Sequence, residues 1–399
     1  MITSERWSPE AREEFMAQRA PQVYARLTQN YTVALRAREL VYAAAREWPG
    51  LVPGEAEMDA ERERLQKDKV GLAIDQGVFL SHILAEPRAG RHLMWAMQRP
   101  RADSVAVLEA FQRSGAADLG TARVDRRGNT GLITLQNHAY LNAEDDDSNA
   151  AVERAVDLVL MDPQIQVAVL RGGPATHPKH AGRRIFGSGI NLTKLYLGKI
   201  GLVDFLIERE LGLNNKMYRG LAPETFRDDG FEDNVEKPFI AVVESFAIGG
   251  ACQWLLIMDH VIAESGSYFN LPARKEGIIA GSANLRLPRF VGDRLTRQGI
   301  FFNRDYRADS PEGRLLADEV VPAAEIDEAV ERATREITSA GITSLVANRR
   351  VLRLAQEPLD VHRTYMAWYA REQARCQHSE ALIGNLERNW DARSRRLHD

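Results

Sequence analysis

The spacing of apolar residues changes twice along this chain of 399 residues. Apolar residues first recur every three to four positions, from Phe15 to Leu27 and again from Val70 to Leu84, which predicts amphipathic helices. Ser8-Pro9 is typical of a helix start, and the segment 48–54, rich in proline and glycine, indicates a break between helices. We therefore predict a helical N-terminal extension over residues 1–120.

From about residue 121, short apolar runs alternate with stretches of helical spacing. Before one such stretch, Asp147, Ser148 and Asn149 offer helix caps. Alternation of this kind is typical of βαβ units with mainly parallel sheets. We predict an α/β core over residues 121–325 and a helical C-terminal oligomerisation or lid region over 326–399. The predicted strands are 122–125, 131–135, 165–170, 239–244 and 260–263, and the predicted helices are 150–161 and 251–258.

Composition narrows the class of protein. The chain is 44% hydrophobic and 27% charged with a net charge of −4, which favours a soluble globular protein and argues against nucleic acid as the main partner. Cys252 and Cys376 are the two cysteines, so we expect no disulfide framework and a reducing compartment. The charged beginning MITSERWSPEAREEF lacks the apolar run of a signal peptide, and no segment is long enough to span a bilayer. We predict a cytoplasmic protein without membrane contact.

Two segments carry the most specific signal. Residues 243–253 (VESFAIGGACQ) read as a strand, a glycine turn and a helix, and residues 269–281 (FNLPARKEGIIAG) follow about twenty residues later. Together with RIFGSGINL at 184–192 and LPRFVG at 287–292, they resemble the signature of the crotonase (enoyl-CoA hydratase/isomerase) superfamily. The resemblance covers roughly residues 121–325 and implies an α/β, crotonase-like ββα spiral core that binds an acyl-CoA.

The same resemblance implies an oxyanion hole. By this match the backbone N–H of Ile190, which follows Gly189, is the first donor to the thioester oxygen, and that of Gly250, which follows Gly249, is the second. An α-proton of a thioester is too weakly acidic to remove at neutral pH unless the enolate oxygen is stabilised by such donors. Glycines at 249 and 250 also let the backbone approach a ligand closely.

Members of the superfamily that add or remove water carry a glutamate at two places, which correspond here to Gln253 and Ala273. Gln253 cannot take a proton but can form hydrogen bonds, whereas Ala273 leaves apolar room near the reacting carbon. The loss of both acids argues against hydration. A small apolar pocket beside a carbanion suits a neutral gas such as O2 better than water.

The helical extension, the stretch 177–192 and the turn 249–253 are similar to one branch of the superfamily over nearly the full chain. That branch is the cofactor-independent 3,5-dihydroxyphenylacetyl-CoA 1,2-dioxygenase, which supplies a precursor of dihydroxyphenylglycine for vancomycin-type glycopeptide antibiotics. The resemblance implies that Glu144, Arg209 and Gln253 line the substrate end. Read from the sequence alone, Glu144 lies in an acidic run that suits a solvated loop, and Arg209 suits a surface salt bridge. No group is assigned as the acceptor of the α-proton; the substrate's own phenolate or a water-linked group could serve.

A basic cluster of Lys179, His180, Arg183 and Arg184 precedes the oxyanion loop and is a candidate for binding the CoA phosphates, with an exposed basic loop as the alternative. His177 and His180 lack a nearby carboxylate or cysteine at a suitable spacing for a metal, and no dinucleotide fingerprint or P-loop occurs. We predict no metal and no organic cofactor, with O2 and a CoA thioester as substrates.

The leading prediction is thus a cofactor-independent dioxygenase that converts 3,5-dihydroxyphenylacetyl-CoA and O2 to 3,5-dihydroxyphenylglyoxylate and free CoA. Another acyl-CoA enzyme of this fold, such as a thioesterase or lyase, and a non-catalytic CoA-binding or assembly protein remain as alternatives. The fold implies a homotrimer or a dimer of trimers.

Overall fold

The structure is a computed structural model that describes residues 6–229 and 233–395. Helix α1 begins as predicted, with Pro9 in its first turn and Ser8 Oγ accepting a hydrogen bond from Ala11 N at 3.1 Å. Residues 1–5, on which part of the signal-peptide prediction rests, lie outside the described residues. The first helices are α1 (Pro9–Leu27), α2 (Ala37–Glu47), α3 (Glu55–Arg62), α4 (Leu72–Ala85), α5 (Pro87–Met97) and α6 (Ala102–Ser114).

Strands and helices alternate through the middle of the chain, as the apolar pattern predicted. The strands are β1 (Ala116–Asp118), β2 (Ala122–Arg127), β3 (Thr130–Leu135), β4 (Val167–Gly172), β5 (Phe239–Val243), β6 (Phe246–Ile248), β7 (His260–Glu264), β8 (Tyr268–Asn270), β9 (Tyr306–Arg307) and β10 (Glu319–Val321). The helices are α7 (Asp146–Met161), α8 (Leu192–Tyr196), α9 (Asn215–Arg219), α10 (Gly250–Leu255), α11 (Ala273–Glu276) and α12 (Ala283–Phe302), the last interrupted at Gly292.

The predicted start of α7 was wrong by four residues. The helix begins at Asp146 rather than Ala150, and its N-cap is Asp145 rather than one of residues 147–149. The Asp145 carboxylate accepts a hydrogen bond from Ser148 N at 3.1 Å, and Ser148 Oγ accepts one from Asp145 N at 2.8 Å. Because of this reciprocal capping box, the helix begins earlier than the apolar spacing suggested.

Seven strands form the large sheet in the order β1-β2-β3-β4-β5-β7-β10. The β1-β2 and β2-β3 pairs are antiparallel, and the pairs from β3 to β10 are parallel. All five residues of β5 are buried, as expected for a parallel strand covered on both faces. A second sheet, β6-β8-β9, lies beside it and leads directly into the glycine turn. The predicted α/β class is confirmed.

Four more helices complete the described chain: α13 (Ile326–Thr338), α14 (Thr343–Gln356), α15 (Leu359–Gln377) and α16 (Glu380–Trp390). Helix α13 covers the outer face of β4, β5 and β7. Helix α15 packs along α4, and together the first and last helices bury one apolar cluster that also contains residues 202–211. The two helical ends of the sequence therefore share a core. No helix in the described part of the chain combines the length and apolar character of a membrane span.

Candidate functional site

The glycine turn brings two backbone segments into contact. Gly249 has φ 56° and ψ −121°, a conformation that side chains beyond glycine rarely adopt. A Cβ built on Gly249 would lie 3.2 Å from the Cα of Gly189, so the loop that contains Gly189 is packed directly against the turn. Helix α10 starts at the next residue, Gly250. The turn and the loop around Gly189 therefore leave no room for a side chain between them.

Two backbone N–H groups at this contact have no acceptor within the described residues. Glu144 N donates to Gly189 O at 2.7 Å and Asn191 N donates to Glu144 O at 2.8 Å, and these bonds flank Ile190 without using its N–H. Gly250 is the first residue of α10, where a helical N–H has no partner within the helix. Both residues line one small cavity.

We call this space the inner cavity. It has a volume of about 30 Å³, much less than the roughly 150 Å³ that accommodates a benzene ring in a protein interior. Its walls are mostly apolar, and Ala273 contributes a buried methyl group. An aryl ring can enter only if some of the lining side chains move apart. The lining residues are Glu144, Ile190, Phe205, Leu206, Arg209, Glu210, Gly249, Gly250, Gln253, Leu271, Ala273, Glu276, Ile278, Ile279, Ala280, Gly281 and Tyr369.

Arg209 is the centre of the polar wall of the inner cavity. Its guanidinium pairs with Glu144 through Nε and with Glu210 Oε1 at 2.7 Å through Nη1. The same Nη1 donates to Gln253 Oε1 at 2.8 Å, and Nη2 donates to Gly250 O at 2.9 Å. The structure thus brings together the three side chains that the resemblance placed at the substrate end, and adds Glu210 to them.

Burial and neighbouring charges together shift the pKa values of Glu144 and Arg209. Loss of hydration raises the pKa of Glu144 even though Arg209 opposes that shift. Burial alone would lower the pKa of Arg209, but Glu144 and Glu210 outweigh it and raise that pKa, so the guanidinium stays charged. Gln253 Oε1 accepts a hydrogen bond from Arg209. Among the described residues, Gln253 Nε2 has no hydrogen-bond acceptor. That amide N–H is therefore available to a ligand in the inner cavity.

The local sequence suggested a solvated loop at Glu144 and a surface salt bridge at Arg209, and the structure shows neither. Glu144 is 3% exposed and Arg209 is 4% exposed, so neither is a solvated surface group. Arg209 lies in two successive π-helical segments, Leu202–Ile207 and Arg209–Asn214. π-Helical turns are rare and are frequent at functional sites. The spacing of apolar residues does not distinguish such π-helical turns from an ordinary helix.

A larger space, which we call the outer cleft, opens beside the inner cavity with a volume of about 450 Å³. Ile190 and Glu276 are the two residues that line both spaces. Helix α16 lies over the cleft and contributes Asn385, Leu386, Asn389 and Trp390. The other lining side chains include the aromatic rings of Phe246 and Tyr268, the cations Lys275 and Arg395, and the carboxylate of Asp305.

None of the four residues of the predicted basic cluster lines the outer cleft or the inner cavity. Arg184 donates from Nη1 to Gly172 O at 3.1 Å, and His180 packs edge-on against Phe246 with the ring centroids 5.8 Å apart. Of the cluster, His180 is therefore separated from the cleft by the Phe246 ring. Lys275 and Arg395, which the sequence analysis missed, are the cations that reach the cleft itself.

Glu276 is the other residue that sequence reasoning missed. It stands in ARKEG, a run that reads as an exposed charged turn, yet it is partly buried and borders both spaces. Its spacing of three residues from Ala273 was the available signal, because positions i and i+3 share a face of a helical turn. Burial raises the pKa of Glu276 to about 7, against the opposing effect of Lys275.

No group of three or more histidine, cysteine or acidic side chains is placed to hold a metal ion in residues 6–229 and 233–395. Cys252 and Cys376 are both free, and Cys252 is buried beneath the glycine turn. Burial raises the pKa of the Cys252 thiol to about 12, which makes it a poor nucleophile.

Known proteins match this chain at two levels. The model of the enoyl-CoA hydratase/isomerase family matches residues 231–385. The (3,5-dihydroxyphenyl)acetyl-CoA 1,2-dioxygenase of Amycolatopsis orientalis is 48% identical over 377 residues, which cover 94% of this chain and 85% of that protein. The chain belongs to the enoyl-CoA hydratase/isomerase (crotonase) superfamily. Within it, the identity to the dioxygenase extends through the helical ends, which a shared core alone does not explain.

Hydratases of the superfamily are more distant. The short-chain-enoyl-CoA hydratase of Clostridium acetobutylicum is 25% identical over 246 residues, covering 61% of this chain and 85% of that protein. Among solved structures, Pseudomonas aeruginosa OdaA has a TM-score of 0.56 at 18% identity, covering 67% of this chain and 98% of that one. This likeness shows the crotonase fold. The predicted fold, an α/β spiral core between helical regions, is confirmed.

Proposed function

We propose that this crotonase-superfamily chain is a dioxygenase that converts 3,5-dihydroxyphenylacetyl-CoA and O2 to 3,5-dihydroxyphenylglyoxylate and free CoA. The 48% identity to the A. orientalis dioxygenase, over nearly the whole chain, supports the substrate. The product would serve as a precursor of dihydroxyphenylglycine in the biosynthesis of glycopeptide antibiotics.

The observation that carries the proposal is the pair of N–H groups at Ile190 and Gly250, which have no acceptor among the described residues and belong to two residues that line one mostly apolar cavity. Two such donors stabilise an enolate oxygen, and losing one typically costs about 3–4 kcal/mol. Gln253 and Ala273 stand where hydratases of the superfamily have glutamates, so the site can form an enolate but lacks the pair that handles water. An enzyme of this fold without those acids needs a different second substrate.

The arylacetyl thioester supplies the required reactivity. Its α-carbon is acidified by both the ring and the carbonyl, so removal of one proton gives an electron-rich enolate. That enolate passes one electron to O2, and recombination of the two radicals forms a peroxide at the α-carbon. The peroxide attacks the thioester carbonyl and expels CoA thiolate. Cleavage of the O–O bond with loss of the second α-proton then leaves the α-keto acid with both oxygen atoms.

We assign the polar wall to recognition of the ring. Gln253 presents a free amide N–H, and the Arg209 guanidinium remains charged beside it, so the two can bind phenolic oxygens. Glu144 and Glu210 hold Arg209 from its other sides. We place O2 against the apolar part of the inner cavity, which includes Ala273, once the lining side chains have moved apart to admit the ring. In this scheme the substrate enolate is the reductant, and the reaction uses no metal and no organic cofactor.

The outer cleft is the proposed site of the CoA moiety, because its 450 Å³ joins the inner cavity at Ile190. Lys275 and Arg395 supply positive charge there, and His180 of the basic cluster packs against Phe246, which lines the cleft. We also propose a homotrimer or a dimer of trimers. Exposed apolar side chains support an interface: Phe302 is 79% exposed at the end of α12, and Leu354 is 66% exposed on α14.

The deciding experiment measures O2 uptake and thiol release together. Protein treated with chelator and freed of small molecules is given 3,5-dihydroxyphenylacetyl-CoA in air and under nitrogen. We expect one thiol released for each O2 consumed, no thiol release under nitrogen, and both atoms of labelled O2 in the keto acid. Thiol release that continues under nitrogen would instead identify a thioesterase, and loss of activity with chelator would show that a metal is required.

A further inference from the structure

Glu276 occupies the passage between the two spaces of the site. Together with Ile190 it lines both the outer cleft and the inner cavity, and no other residue of the described chain does so. A thioester whose oxygen is bound at Ile190 N has its CoA on the cleft side and its acyl group on the cavity side. The α-carbon, one bond from that carbonyl, then lies in the same passage as the Glu276 side chain.

The short helix α11 explains how a carboxyl reaches this position. Ala273 and Glu276 are its first and last residues, three apart, and both line the inner cavity. The site thus lacks an acid at residue 273 but presents one from the next turn of the same face. Helices α12 and α16 pack against α11 and fix its orientation.

The Glu276 carboxyl has no hydrogen-bond donor and no ion pair among the described residues, whereas Glu144 and Glu210 are both committed to Arg209. It is therefore the acid of the site that is free to exchange a proton. The titratable groups facing the two spaces around it are Lys275 on its own helix, Tyr140, His177, Tyr268, Asp305 and Arg395 in the outer cleft, and Glu144, Arg209, Glu210 and Tyr369 around the inner cavity.

We propose that Glu276 is the general base that removes the α-proton of the thioester. This assignment rests on the dioxygenase function proposed above. The Cα–H bond breaks, its proton goes to a Glu276 carboxylate oxygen, and its electron pair becomes the enolate held by Ile190 N and Gly250 N. After O2 has added and the peroxide has attacked the carbonyl, Glu276 returns this proton to the departing CoA thiolate. The regenerated carboxylate then takes the second α-proton as the O–O bond breaks.

A general base is most effective when its pKa lies near the working pH, and burial places the pKa of Glu276 at about 7. The carboxylate is the active form, so activity should rise with pH through about 7. Replacement by an uncharged isostere removes that rise. General-base catalysis contributes typically about 10²–10⁴-fold, which sets the expected loss.

The test uses the intact protein and separates proton removal from reaction with O2. Wild type, Glu276→Gln and Glu276→Asp are incubated with 3,5-dihydroxyphenylacetyl-CoA in D2O under nitrogen, and α-hydrogen exchange is followed by NMR. The same proteins are assayed in air for O2 uptake and for binding of the thioester. The control is Glu372→Gln, an equal change of charge and size at an exposed position of α15.

We expect Glu276→Gln to lose about 10²–10⁴-fold in both α-exchange and O2 uptake while it still binds the thioester, with Glu276→Asp recovering part of the exchange. The acid limb near pH 7 should be absent from its pH profile. Exchange at the wild-type rate in Glu276→Gln would overturn the assignment and leave the dioxygenase proposal standing. Wild type that neither exchanges α-hydrogen nor consumes O2 would overturn the proposed function itself.

Discussion

Arg209 forms ion pairs with two buried carboxylates at the site. Replacing Arg209 by methionine should therefore lower the free energy of unfolding. The Arg209 and Glu144 side chains are each 4% exposed and Glu210 is 2% exposed. Removing one partner of a buried pair typically costs about 3–5 kcal/mol because the other charge is left without compensation. Glu210 keeps hydrogen bonds from Ser282 Oγ and Asn214 Nδ2, at 2.7 Å and 3.0 Å, whereas the Glu144 carboxylate accepts from Arg209 alone in the described structure.

Most of the cost of Arg209→Met should therefore come from Glu144. A second substitution, Glu144→Gln, converts the stranded charge to an amide, whose unsatisfied burial costs about 1–3 kcal/mol. We expect the double variant to be more stable than Arg209→Met by about 2 kcal/mol, although Glu144→Gln alone weakens the wild type.

The assay is urea unfolding followed by circular dichroism, with the four proteins of the cycle compared under one set of conditions. The control is Arg297→Met, which removes an exposed pair with Asp293 and should cost under about 0.5 kcal/mol. A double variant no more stable than Arg209→Met would refute the reasoning, because it would show that Glu144 is not the group left uncompensated.

Three further predictions concern the turn, the cleft and acid stability. Gly250→Ala should lower kcat for O2 uptake by about 10²–10³-fold, because a Cβ there overlaps Glu144 Oε1 and must shift the N–H out of position; activity within a few-fold of wild type would contradict this. Lys275→Met should raise the Kd for the CoA thioester in a calorimetric titration more than Lys179→Met does, because only Lys275 lines the cleft; the reverse order would favour the basic cluster. Burial lowers the pKa of His362 to about 3, so stability should fall with decreasing pH from about 6.5 towards 3, by on the order of 1.4 kcal/mol per unit, and His362→Gln should flatten this slope in unfolding measurements.

The alternation of strands and helices was predictable because β4, β5 and β7 each contain a short, buried apolar run, which is typical of strands in a covered parallel sheet. The glycine turn was predictable for a related reason. Gly249 and Gly250 form a turn that few sequences other than glycine can make, so the local sequence marks the geometry directly. The start of α7 was missed because a side-chain cap at Asp145 overrides apolar spacing.

The charged residues of the site could not be judged from local sequence. Arg209 and Glu144 are 65 positions apart and become buried only when the π-helical segment packs against the loop before α7. Lys275, Arg395 and Glu276 depend on where α11 and α16 meet, which no periodicity specifies. The local sequence around a charged residue is the same whether that residue lies in a solvated turn or in a cavity wall. The difference is made by contacts with residues that are distant in sequence.

The pairing of α4 with α15 bears on how a cell makes this protein. Helix α4 is buried on most sides, and Gly77 lies so close to α15 that a Cβ would approach Ala370 O to 2.6 Å. The ribosome completes α4 long before it reaches residue 359. During synthesis the apolar surface of α4 is therefore exposed until α15 has been made. Such surface is prone to aggregation or to capture by chaperones. Synthesis that stops before α15 should therefore leave an insoluble product even though both sheets have been translated.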